Sequence, residues 1–144
     1  GYDVMHITSK FGAIINGVKV GREKFFDTLQ TWGADNDKKF VIFHYSILSE
    51  GINVTGLTHT ILLRNLPIIE MAQTIGRVIR VHSDDRKAVA DGLIPSGAFH
   101  LYKKAFGVVT MPIGYRLGNV TQARLEQVVN NIFIEGIPPL AYCI

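Results

Sequence analysis

Cysteine is nearly missing. Cys143 is the only one in 144 residues, which excludes an internal disulfide framework and fits a reducing compartment. Proline is also scarce, at five residues, and no polar or Pro-rich linker, internal repeat or low-complexity tract divides the chain. No apolar run approaches the roughly 18 residues of a membrane-spanning helix, and no signal peptide opens the sequence. Charged residues make up only 19%, against 47% hydrophobic, the balance of a globular chain rather than a disordered one. The length argues for one domain over 1–144, and a chain of about 150 residues can bury about 68–70% of its unfolded surface. These features together predict a soluble, intracellular, cytoplasmic protein. Gly1, where a Met would start a gene product, is read as a start inside a longer chain or the remnant of a cleaved tag.

Charge of one sign is lacking too, except in one place. The net charge is +3. Residues 1–58 carry six basic and six acidic side chains, and residues 81–144 carry six against five. Between His59 and Arg80, Arg64, Arg77 and Arg80 stand against Glu70 alone. A total of this size says little about partners, but its local source is informative.

Short apolar runs bounded by turn residues predict strands at Val4–Thr8, Phe40–His44, Thr60–Leu63 and Phe106–Met111, with a weaker one at Ala13–Ile15. Helical periodicity predicts helices over Gly21–Trp32, Pro67–Val81 and Thr121–Ile134, the last with Thr121 as N-cap. Strands that alternate with helices and are apolar on both faces predict an α/β fold with a mainly parallel sheet covered on both sides.

The segment Ile68–Arg80 carries the most chemistry. Ile68, Met71, Ala72, Ile75 and Ile79 form a core-facing stripe, while Glu70, Gln73, Thr74, Arg77 and Arg80 share the opposite face. Two guanidiniums one turn apart suit a polyphosphate, because each offers a planar fork of donors to anionic oxygens. On charge pattern alone the same face also reads as a solvated helix surface. Gly76 in mid-helix costs about 1 kcal/mol relative to Ala, which predicts a close neighbour at its backbone. The second segment, Phe40–Asn53, runs from a buried strand into a loop with Ser46, Ser49, Glu50, Gly51 and Asn53, where open parallel sheets bind ligands. It also reads as an ordinary loop whose Ser and Asn satisfy local backbone groups.

Ser49-Glu50-Gly51-Ile52-Asn53 followed by Gln73-Thr74-Ile75-Gly76-Arg77-Val78-Ile79-Arg80 resembles motifs V and VI of superfamily 2 helicases. The wording is most similar to phage branch-migrating helicases and to DNA translocases of restriction systems. Ile15-Asn16-Gly17 and the helix containing Arg22 resemble the strand–Gly–helix that precedes motif V. The resemblance covers Val4–His82, and 83–144 matches only in outline.

The resemblance implies the second, C-terminal domain of a pair of RecA-like domains, a three-layer α/β/α fold shortened at its N-terminal side. ATP with Mg²⁺ would sit in the cleft between the domains, held mainly by the first. Arg77 and Arg80 would act catalytically as arginine fingers on the γ-phosphate. Gln73, Glu50, Gly51 and Asn53 would border the nucleotide, and Tyr45 and Ser46 would contact the nucleic-acid backbone, DNA more than RNA. The family usually carries Asp where Asn53 stands, and many members carry Thr where Tyr45 stands. The phosphate-cradling Gly-x-x-x-x-Gly-Lys-Ser/Thr loop and the Asp-Glu box are absent. The resemblance therefore implies a bacterial or phage-like motor of which this chain alone is inactive. A non-catalytic nucleic-acid-binding or scaffold module of the same fold is the alternative. The five histidines show no metal-ligand spacing, and no metal site is expected. Trp32, Phe25 and Phe26 are read as core, Cys143 as incidental, and Asp84-Asp85 as a solvated loop.

Overall fold

A computed structural model describes residues 1–45, 54–112 and 118–132. The chain is mixed α/β. Strand β1 (Asp3–Thr8) alternates inward and outward, and burial of Met5 and Ile7 fixes its register. Only three residues separate it from β2 (Gly12–Ile15), too few for the crossover a parallel partner needs, so the two pair antiparallel with Met5 opposite Ile15. Asn16 and Gly17 then take φ of 50° and 81° and turn the chain directly into β3 (Val18–Val20). Positive φ at both central residues is what a type I′ hairpin requires, and Asn-Gly supplies it at least cost. The Asn16 side chain braces the turn: its Oδ1 accepts from Val4 N–H at 2.8 Å and its Nδ2 donates to Asp3 at 2.6 Å. A third strand thus stands between Asn16-Gly17 and the helix containing Arg22, where the strand–Gly–helix expectation had none.

Helix α1 (Arg22–Ala34) buries Phe25, Leu29 and Gly33. Phe25 and Leu29 close over Met5, Ile7 and Ala13, with Phe26, Trp32, Phe40 and Ile42 packed around them. Strand β4 (Phe40–His44) falls where the sequence places it and pairs parallel with β1, Met5 beside Ile42. The sheet order is β3-β2-β1-β4. It is mixed, not mainly parallel, and its second face is not covered as expected: Val4, Val41 and Phe43 are 42, 39 and 50% exposed.

A second, smaller sheet joins β5 (His59–Ile61) to β6 (Val108–Thr110) in parallel, Thr60 beside Val109. Helix α2 (Ile68–Val78) packs Met71 and Ile75 against Leu62, Leu66 and Val128. Ile68, Ala72 and Ile79 pack at the edge of this cluster, so the expected stripe is the core-facing one. Helix α3 (Ser83–Ala90) and a 3₁₀ turn (Phe99–Leu101) have no counterpart in the sequence reading. Helix α4 (Gly118–Ile132) starts before Thr121, which lies inside the first turns and is not the N-cap. Arg124 on α4 donates to Asn65 Oδ1 at 2.9 Å and to the Leu66 carbonyl at 3.0 Å, fixing the entry to α2.

Candidate functional site

The basic excess of the sequence gathers around the carboxyl end of β4. Arg64 lies in the bend between β5 and α2. Its Nη2 donates to the Tyr45 carbonyl at 2.8 Å and to Glu70 Oε1 at 2.5 Å. Its guanidinium also lies 4.2 Å from the centre of the Tyr45 ring, a distance at which a cation is drawn to an aromatic face. Tyr45 is thereby held at two points by one side chain while the residue stays 65% exposed. Glu70 sits in the first turn of α2, where the helix dipole favours a carboxylate.

His44, the last residue of β4, faces the same group of charges. Although His44 keeps an exposed edge, partial desolvation lowers its pKa from the ordinary imidazole value, the guanidiniums of Arg77 and Arg64 lower it further, and Glu70 opposes them. His44 is therefore neutral at pH 7. Arg77 is half-buried on α2, and burial followed by the charge of Arg80 lowers its pKa from the usual arginine value. It stays cationic, since arginine starts so far above neutrality. The charge of Arg80 thus reaches Arg77 in a partly desolvated place.

Of the residues singled out in the sequence, Tyr45, Gln73, Arg77 and Arg80 are placed. Gln73 is exposed one turn before Arg77. Arg80 departs from the expectation, because α2 ends at Val78 and Ile79 is its C-cap, so Arg80 lies in the bend beyond and not on the helix face. The stop is tertiary: Gly107, just before β6, runs so close to the Val78 carbonyl that a Cβ there would collide with it. Gly76 was expected to have a close neighbour, yet a Cβ at that position would meet nothing within 4 Å. Ser46, Glu50, Gly51 and Asn53 lie outside the described residues.

The sequence reading gave His44 no role and counted Arg64 only as a charge. It also placed Asp84-Asp85 in a solvated loop. Asp84 does face water and pairs with Lys103 at 2.6 Å, but Asp85 is 2% exposed on α3. Both its oxygens accept backbone N–H groups, from Lys103 at 2.8 Å and Lys104 at 3.0 Å. No local signal marks it, since its partners stand 18 and 19 residues further along.

The guanidinium donors fit a polyphosphate. Among the described residues no three His, Cys, Asp or Glu side chains converge to hold a metal ion, so these residues do not fit Mg²⁺. Among the same residues no helix is long and apolar enough to cross a membrane. No protein-family model, curated protein or solved structure matches the chain.

Proposed function

We propose that this chain is the C-terminal, RecA-like half of an ATP-dependent nucleic-acid helicase or translocase. It supplies arginine fingers to a nucleotide whose phosphates and Mg²⁺ are held by an N-terminal RecA-like domain of the same full-length protein. The observation that carries the reading is a row of charges: that of Arg80 reaches Arg77, and that of Arg77 reaches His44 at the carboxyl end of β4. That is the end of a parallel strand pair at which α/β folds bind ligands. Arg80, in the bend after α2, would meet the charge that develops on the γ-phosphate, and Arg77 would neutralise the neighbouring oxygens. Gln73, one turn earlier, and the loop with Glu50, Gly51 and Asn53 would border the nucleotide. Tyr45, exposed and braced by Arg64, together with Ser46, would form part of a DNA track. Contacts of that kind bind backbone or bases without reading sequence, as a translocating motor needs.

The test is ATP hydrolysis by the full-length protein with and without DNA. Arg80→Ala is expected to lower kcat by about 10³–10⁵-fold, the usual worth of an arginine finger, while DNA affinity and the thermal midpoint hold. Wild-type turnover in that variant ends the reading. The 144-residue chain by itself is expected to show no hydrolysis.

A further inference from the structure

The cluster around Tyr45 leaves one buried cation unused. Lys104 lies between the 3₁₀ turn and β6, and it is 9% exposed. Its ammonium donates to the Arg80 carbonyl at 2.7 Å and to the Thr55 carbonyl at 3.2 Å. From the other side Asp85 holds the backbone from which this side chain reaches, through the N–H groups of Lys103 and Lys104. The same locus is closed by two backbone approaches that only glycine allows. Gly107 presses on the carbonyl of Val78, and Gly56, next to Thr55, presses on the carbonyl of Gly33 at the end of α1.

The carbonyls at a helix C-terminus lack partners within the helix, and a cation there is favoured by the dipole. Lys104 meets the Arg80 carbonyl two residues past the end of α2, close to that terminus. The second carbonyl is the informative one. Thr55 stands two residues after Asn53 in sequence, and one ammonium bridges its main chain to that of Arg80 beyond α2. Burying a charge is a costly way to join loops, and apolar packing of similar volume is often neutral or better for stability. What apolar packing cannot do is orient two carbonyls towards one point.

We propose that Lys104 is a positioning residue for Arg80, clamping the Arg80 main chain to that of Thr55 so that the finger keeps one fixed relation to residues 54–58. The proposal rests on the reading of Arg80 as an arginine finger. Lys104 touches no reacting atom and acts through the peptide it holds.

Its ionisation separates this role from simple stabilisation. Burial pushes the Lys104 pKa down to about 8, with Asp85 opposing the shift. Asp85 on α3 is the charged side chain facing it, Arg80 is the one on the segment beyond α2, and residues 54–58 and 105–107 carry none. Between the folded value of about 8 and the unfolded 10.5, the folded state binds fewer protons, so this group makes stability rise with pH. The clamp changes in the opposite sense, because a neutral amine donates more weakly than an ammonium. A purely structural lysine lets activity follow stability upward. A positioning lysine makes kcat fall over the range in which stability rises.

The experiment uses the full-length protein, with DNA-stimulated ATP hydrolysis as the readout and Arg80→Ala as the reference. Lys104→Met is expected to lower kcat by about tenfold to a hundredfold, the scale of a misplaced catalytic group, with KM for ATP and DNA affinity unchanged. Lys104→Arg, which keeps charge and donors, is expected to recover part of the loss. A folded Lys104→Met protein with wild-type kcat, beside an inactive Arg80→Ala, overturns the proposal and leaves the finger intact. An active Arg80→Ala overturns the finger and the proposal together. If Lys104→Met fails to fold, the wild-type profile decides: kcat falling above about pH 8 while denaturation shows rising stability supports the clamp, and a flat or rising kcat refutes it.

Discussion

The two hydrophobic clusters of this chain hold themselves together by different means. The first, under α1, draws Met5, Ile7, Ala13, Phe25 and Leu29 from one short stretch of sequence, with Val54 the only distant member. The second, under α2, joins Leu62, Leu66, Met71 and Ile75 to Val128. Among the described residues the buried polar side chains are His82, Asp85 and Lys104, none of them a member of either cluster, and Lys104 ties Thr55, next to Val54 of the first, to Arg80, just beyond the helix of the second. Around β1 the ion pair is Asp3 with Lys38, at 2.5 Å and partly open to water, where such pairs contribute little. The first region is thus held by apolar volume. The segments around α3 and residues 103–104 instead use buried charges that fix loop geometry, and through Arg80 they adjoin the helix that carries Arg77.

That contrast can be broken by exchanging the kind of damage done to each region. The largest expected effect is Phe25→Ala, since Phe25 is fully buried and such truncations cost about 3–5 kcal/mol. Urea denaturation measures it. A loss below about 1 kcal/mol would show that α1 is not the main support of the mixed sheet. Next is Asp85→Ala, which strands two backbone N–H groups and removes the charge that favours the Lys104 ammonium; about 2–4 kcal/mol is expected, mainly from the unsatisfied donors. Asp85→Asn keeps shape and one acceptor and should cost visibly less. Equal costs for the two variants would mean that packing, not hydrogen bonding, holds the 103–104 backbone. The smallest effect belongs to the uncovered face of the sheet: Val41→Lys and Phe43→Lys should each stay within about 0.5 kcal/mol. A large loss at either position would show that this face is covered in solution.

What the sequence disclosed follows the range of the interactions involved. Strand β4 and the apolar stripe of α2 are written in local periodicity, and the structure places both where that periodicity puts them. Asn16-Gly17 was equally legible as a hairpin turn, yet the resemblance to a strand–Gly–helix drew attention from it; here the local signal was the better guide. The departure of Arg80 from the helix was not legible, because the stop at Val78 is imposed by Gly107, nearly thirty residues later, and no Gly, Asn or Pro marks it in sequence. The burial of Asp85 is hidden for the same reason. An acidic pair among polar neighbours reads as solvated, and only the fold brings the 103–104 backbone against it. Of the basic residues at the candidate site, Arg77 and Arg80 were legible by type and spacing. Arg64 was not, since its bond to the Tyr45 carbonyl spans 19 positions.

The open face of the four-stranded sheet has a practical consequence at the bench. Val4, Val41 and Phe43 offer β-branched and aromatic surface on adjacent strands, and among the described residues no further strand lies on the outer side of β4. Exposed strand edges beside apolar surface are where chains stick to one another. Preparations of this chain by itself should therefore foul at high protein concentration, and lysine at position 43 is the first substitution to try for a sample that stays clear.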